Sequence, residues 1–198
     1  MPTVEIAPAQ AVPFAHLEAV LGTTGDGPRC WCRWWLDTNA QFNAASVDEK
    51  KAALRADIAA DAPRGLLATV DGAPAGWVAV APRPQYQRLP RTRAIAAALP
   101  AEDWTDPAVW SVVCFVITRD HRRAGLSAAL LAAAVDAARA GGATAVEGYP
   151  VEVDGTRDAR GLYTGVSTVF ERAGFAEVAR VPGSATRPTR VIMRRALA

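Results

Sequence analysis

The sequence predicts an α/β protein: a single domain over residues 1–198 with a mixed central sheet of about seven strands and helices on both faces. Three observations carry this. Val109–Ile117 reads Val-Trp-Ser-Val-Val-Cys-Phe-Val-Ile, the almost wholly apolar composition of a central strand buried on both faces. Asp71-Gly72 lies between two apolar runs, a strong hairpin signal. Strand-like and helix-like segments alternate through the second half, as in a sheet covered by helices.

Taken in order, residues 4–7 predict a short first strand and residues 13–21 a short helix, with Pro13 tolerated in its first turn. Glycine and proline make 22–28 a loop. Ser46-Val47-Asp48-Glu49 has the spacing of a capping box and predicts a helix to about Ala60. Residues 65–70 and 74–80 are the hairpin strands. Residues 83–108 form a long polar, proline-containing excursion with a short helix at 93–99, and long loops inside compact domains are often functional. After the central strand, 124–140 predicts a helix stopped by Gly141-Gly142. Residues 144–149 are the next strand, 155–161 a polar, mobile loop, and 163–173 a helix ended by Gly174. Residues 175–181 and 190–194 are two closing strands.

About half the residues are hydrophobic, enough for a sizeable core, and the net charge of +2 does not call for nucleic acid as a partner. Three cysteines, Cys30, Cys32 and Cys114, are too few and too sparse for a disulfide framework and fit a reducing compartment. The first residues lack the basic and apolar regions of a signal peptide, and no apolar run is long enough to span a bilayer. A soluble cytoplasmic protein, monomeric or homodimeric and not membrane-bound, is the expectation.

The chemistry concentrates in Arg119-Asp120-His121-Arg122-Arg123-Ala124-Gly125-Leu126-Ser127, a basic turn between the buried strand and a helix. The first amides of a helix have no intrahelical partner, and its dipole adds positive potential there. Gly125 with the small Ala124, Ser127 and Ala128 lets a ligand approach the backbone, and Arg122 and Arg123 add charge. This is a site for a diphosphate.

Arg122-x-x-Gly125-x-Ser127 resembles the Q/R-x-x-G-x-G/A motif with which GNAT acyltransferases hold the pyrophosphate of CoA. Downstream, Thr168-Val169-Phe170-Glu171-Arg172-Ala173-Gly174-Phe175 resembles that family's late helix, commonly Leu-Tyr-Glu-Lys-Leu-Gly-Phe. The likeness is close over 109–175, loose before residue 65 and weak over 83–107. It implies acetyl-CoA as co-substrate, no metal, and transfer of the acetyl group to a primary amine attacking directly in a ternary complex. It places oxyanion donors on backbone amides near Phe115, Val116 and Ile117, and cofactor contacts on 122–128 and Phe170. Ser127 replaces the usual glycine or alanine. Phe170 stands where many members have the tyrosine that protonates the departing thiolate, so that role is vacant or has moved.

Tyr163, seven residues before Phe170 and so two helical turns away, is the first candidate for a replacement acid. Glu147 is the candidate base. Glu152, Glu102 and Asp106 are alternatives, and the abundance of exposed carboxylates weighs each toward an ordinary surface charge. Cys114, inside the apolar strand, reads as a small hydrophobe. Cys30-Trp31-Cys32-Arg33-Trp34-Trp35 lacks the ligand number of a metal site. In the resemblance it borders the acceptor, where Trp31, Trp34, Trp35 and Tyr86 would suit an apolar or aromatic amine. The leading expectation is a small-molecule acceptor. The alternatives are a protein amine, an aminoacyl-tRNA read by the arginines at 180, 187, 190, 194 and 195, or an acyl-CoA sensor without turnover.

Overall fold

The computed structural model describes residues 2–60, 62, 64–153 and 162–197; the polar segment 155–161 singled out above lies outside them. Seven strands form one sheet in the order β1-β2-β3-β4-β5-β7-β6. They are β1 (Val4–Pro8), β2 (Leu66–Val70), β3 (Ala73–Pro82), β4 (Val109–Ile117), β5 (Ala145–Gly148), β6 (Ala176–Val181) and β7 (Arg190–Ala196). Only β4 and β5 pair parallel; every other neighbour is antiparallel.

Eight α-helices connect them: α1 (Phe14–Leu21), α2 (Gly27–Cys30), α3 (Asn39–Ala44), α4 (Val47–Ala59), α5 (Arg88–Arg91), α6 (Arg93–Ala98), α7 (Leu126–Ala140) and α8 (Ser167–Arg172). The capping box opens α4 as read: Glu49 N–H donates to Ser46 Oγ at 3.2 Å and Ser46 N–H donates to Glu49 at 2.7 Å. A second box, Thr38 with Gln41, opens α3, a helix the sequence reading did not find. Asp71 (φ 50°) and Gly72 (φ 81°) are both left-handed, as the tight hairpin between β2 and β3 requires.

The two sheet faces bury separate cores. One packs Leu126, Leu130, Leu131, Ala134 and Val135 of α7 against Val78, Val80, Val112 and Val146, with Phe115, Phe170 and Phe175 at its end. Gly76 lets α7 close on β3, since a Cβ there would press Leu126 Cδ2 and Leu130 Cδ1 at 3.0 and 3.1 Å. The opposite face packs Leu17, Leu21 and Leu54 with Trp31, Trp35, Tyr86 and Ile95 against Trp77, Val113 and Ile192. Each buried large side chain contributes about 1.5–3 kcal/mol by leaving water, so both helical layers hold the sheet firmly.

One predicted element is corrected. Residues 163–173 do not form one helix: a 3-10 turn covers Leu162–Thr164, and α8 begins only at Ser167. Gly165 (φ 88°) is left-handed and Val166 is extended, which breaks the helical path between them. The same-face argument for Tyr163 and Phe170 therefore fails. Tyr163 packs on the tryptophan side of the sheet and Phe170 in the α7 side.

Candidate active site

The parallel pairing of β4 with β5 runs from Val109–Ala145 to Val112–Gly148 and stops. β5 ends there while β4 continues to Ile117, so the β5-side edge of residues 113–117 has no strand partner among the described residues. The register against β3 slips at the same place, with Ala79 opposite Cys114 and Val80 opposite Val112. Val113 is the extra residue of a β-bulge, which bends a strand and breaks its ladder. Its consequence is that Val113 and Cys114, though adjacent, both belong to the tryptophan-side core, while Val112 and Phe115 belong to the other.

The strand runs into the basic turn. Arg123 (φ 63°) and Gly125 (φ 79°) are left-handed on either side of Ala124, and Gly125 is the N-cap of α7. The first helical amides with partners are those of Ala128 and Ala129, which donate to the Gly125 carbonyl at 3.0 and 3.2 Å. The amides of residues 123–127 have no backbone acceptor, and successive amides in such a turn form an anion-binding concavity. Residues 122–125 are exposed. Arg122 donates from Nε to the Ile117 carbonyl at 3.3 Å, and neither Arg122 nor Arg123 has a carboxylate partner among the described residues. The donors suit a diphosphate: unpaired N–H groups, a 15-residue helix behind them and two guanidiniums without a carboxylate partner among the described residues.

Phe170 is fully buried. Its ring meets Phe115 and Phe175 edge-on, with centroids 6.1 and 5.1 Å away, and a Cβ on Gly148 would overlap it. It therefore has no surface on which to touch a cofactor, and its part in this structure is to pack. Tyr163 lies in the turn facing β4 on the other side, near Cys114. Burial pushes its hydroxyl pKa up while the Arg190 guanidinium draws it down. Arg190 donates to Thr164 Oγ1 at 3.0 Å and to the Tyr149 carbonyl.

Glu147 is not the surface charge its residue type suggested. It is fully buried, and both carboxylate oxygens accept hydrogen bonds: one from Tyr149, the other from Arg194, including Nε at 3.0 Å, with Arg83 Nη1 at 3.6 Å. Glu102 completes the cluster through Arg83 (3.1 Å) and Arg194 (2.6 Å). Two arginines face two glutamates, tying the 83–108 excursion to β5 and β7. Both oxygens of Glu147 are engaged in this buried cluster. Glu152 pairs with Arg180 at the surface, and Asp106 caps the Ala108 amide.

Trp31, Trp35 and Tyr86 are buried and Trp34 is 38% exposed. Trp35 stacks on Tyr149, and Trp34 meets Phe42 edge-on. Trp31 (φ 45°) and Cys32 (φ 55°) are consecutive left-handed residues, a conformation costing about 1–2 kcal/mol each for a side chain. Trp77 Nε1 donates to Cys32 Sγ at 2.9 Å and holds that turn in place. Arg88 is marked by no sequence signal, and Arg190 is singled out only as one of a cluster of C-terminal arginines. Three of the arginines near the C-terminus are engaged within the fold. Arg180 pairs with Glu152 and Glu177, Arg194 with Glu102 and Glu147, and Arg195 donates to the Ala173 carbonyl.

The acetyltransferase (GNAT) family model matches residues 29–165, the span from the tryptophan segment through the cleft. The chain belongs to the GNAT acetyltransferase family. Solved structures agree in fold. A GNAT-family acetyltransferase from Streptococcus pneumoniae is 17% identical over 99% of this chain and 100% of that one, with a TM-score of 0.57. The yncA protein of Salmonella typhimurium, solved with its cofactor acetyl-CoA, is 13% identical over 98% and 94%, with a TM-score of 0.59. A ribosomal-protein-alanine N-acetyltransferase from Brucella melitensis is 15% identical over 98% and 99%, with a TM-score of 0.57. At these identities the likeness is one of fold. No curated protein matches the sequence. GNAT enzymes use acetyl-CoA, and membership of the family leaves the acceptor open. Among the described residues no group of three or more metal-ligating side chains comes together, and no helix is long and apolar enough to cross a membrane.

Proposed function

We propose that this GNAT protein transfers an acetyl group from acetyl-CoA to the primary amine of a small molecule, which attacks the thioester directly. The observation that carries it is the juxtaposition of the bulged, splayed β4 edge with the unpaired amides of 123–127. Residues 122–128 would hold the diphosphate, and the 113–117 edge would lie along the rest of the carrier, with amides near Phe115, Val116 and Ile117 as oxyanion donors. Acetyl-CoA supplies the activated acetyl group; the protein supplies binding and proton management.

Tyr163 is the acid in this scheme. Burial keeps it protonated at neutral pH, and the positive field of the Arg190 guanidinium favours release of that proton to a departing thiolate. Glu147 is committed to its ion pairs, so water takes the amine's proton. The aromatic wall of Trp34, Trp35 and Tyr86 supports a small apolar or aromatic acceptor over a macromolecule. A second reading, acyl-CoA binding without turnover, has Phe170 in its favour, because the family's usual hydroxyl is missing. Calorimetry with CoA and a thiol-release assay over an amine panel separate them. Binding with turnover supports the enzyme, binding alone the sensor, and no binding refutes both.

A further inference from the structure

Among the described residues two arginines are more than nine-tenths buried, Arg83 and Arg88. Arg83 faces Glu102 and Glu147. Arg88, 6% exposed at the start of α5, has no carboxylate at ion-pair distance among the described residues. Its Nε donates to the Trp34 carbonyl and its Nη1 to Asn39 Oδ1, and its plane lies 3.9 Å over the Trp34 ring. Nη2 is buried with no hydrogen-bond partner. The carboxylate whose field reaches it, Asp37, is already bound by Arg33. Buried charges are ordinarily paired or bound to a ligand, because desolvating a lone ion is costly. An arginine cannot escape by losing its proton at physiological pH.

The place of this cation says what would pair with it. The Arg88 backbone amide donates to the Trp35 carbonyl, and the adjacent Leu89 packs in the same core as Trp35 and Tyr163, so Arg88 stands on the tryptophan side of the sheet. Trp34, the exposed tryptophan, forms its platform, so the guanidinium lies directly beneath a ring that reaches solvent. Nη2, the one guanidinium nitrogen left without an acceptor, is a charge-assisted donor of the kind a single carboxylate oxygen accepts. Trp35 and Tyr86 supply apolar surface beside it, and Tyr86 Oη and Trp35 Nε1 are likewise without partners.

We propose that Arg88 anchors the carboxylate of the acceptor, which makes the substrate class an α-amino carboxylate with an apolar or aromatic side chain. This rests on the acetyltransferase reading for the fate of the amine, but the carboxylate site can be read without turnover. Tryptophan fluorescence, excited where phenylalanine is silent, follows titration of the protein with phenylalanine, 3-phenylpropionate and phenethylamine. Phenylalanine and 3-phenylpropionate bind, and phenethylamine binds at least tenfold more weakly. In Arg88→Met that difference vanishes while acetyl-CoA affinity, measured by calorimetry, stays within twofold. Arg88→Lys keeps part of the preference through charge alone. In turnover, wild type favours phenylalanine over phenethylamine at least tenfold in kcat/KM, and the ratio approaches one in Arg88→Met. Equal binding of phenethylamine by wild type, no binding of either carboxylate, or an unchanged preference in a folded Arg88→Met protein would each overturn the proposal. Failure to bind acetyl-CoA would instead refute the acetyltransferase reading and leave the carboxylate titration standing. The wild-type ligand series decides the matter even if Arg88→Met does not fold.

Discussion

Restoring the tyrosine common in GNAT enzymes, by Phe170→Tyr, tests whether position 170 faces the chemistry or the core. The ring has no exposed surface and is enclosed by Phe115, Phe175, Gly148 and Gly165. A hydroxyl on its para carbon enters an apolar site with no polar partner in view. An unsatisfied buried hydroxyl costs about 1–3 kcal/mol, and forcing an extra heavy atom into a filled core costs about 1–3 kcal/mol more. We therefore expect Phe170→Tyr to lose about 2–4 kcal/mol, the two terms sharing whatever relaxation the site allows. Against a total stability of about 5–15 kcal/mol, this is readily seen as a lower midpoint in urea with an unchanged slope. Thiol release under saturating acetyl-CoA should be no faster than wild type. A variant of wild-type stability that turns over ten times faster would show that the para carbon looks into the cleft, and the assignment of Phe170 to the core would be wrong.

Other outcomes follow from single observations. Glu147→Gln strands two arginines against a neutral amide and should cost about 3–5 kcal/mol in urea unfolding, as broken buried pairs do; normal stability with a collapsed kcat would instead make Glu147 the base. Gly125→Asp has open space for its Cβ, so crowding in the free protein is not the issue. The left-handed backbone and an added anion should lower CoA affinity at least about tenfold by calorimetry, and unchanged affinity would remove the loop from the site. Burial pushes the Cys30 thiol up to about 12, above the ordinary thiol value. The unfolded chain then loses that proton first as pH rises, so stability is full below about pH 8.5 and declines towards pH 12, by up to about 1.4 kcal/mol per pH unit. Cys30→Ala should flatten this alkaline slope by up to one proton, and a slope identical to wild type would refute the assignment.

What the sequence reveals and what it hides divide along one line, local against distant causes. Val109–Ile117, the Asp71-Gly72 hairpin and the Ser46 box are each set by neighbours in the chain, and each stands where its residues place it. Glu147 looked like a surface charge because its partners, Arg83 and Arg194, come from other parts of the chain. Arg88 carries no motif at all; only folding brings Trp34, Asn39 and the empty side of its guanidinium together. The bulge at Val113 is the sharpest case. In a half-buried strand, alternation of apolar and polar residues would have shown the slip of register. β4 is apolar from Val112 to Ile117, so either phase reads the same there, and the pattern carries no trace of the extra residue. Yet the bulge turns Cys114 to the same side as Val113 and parts β4 from β5. The burial that makes the strand recognisable thus erases the signal for the distortion that opens its cleft.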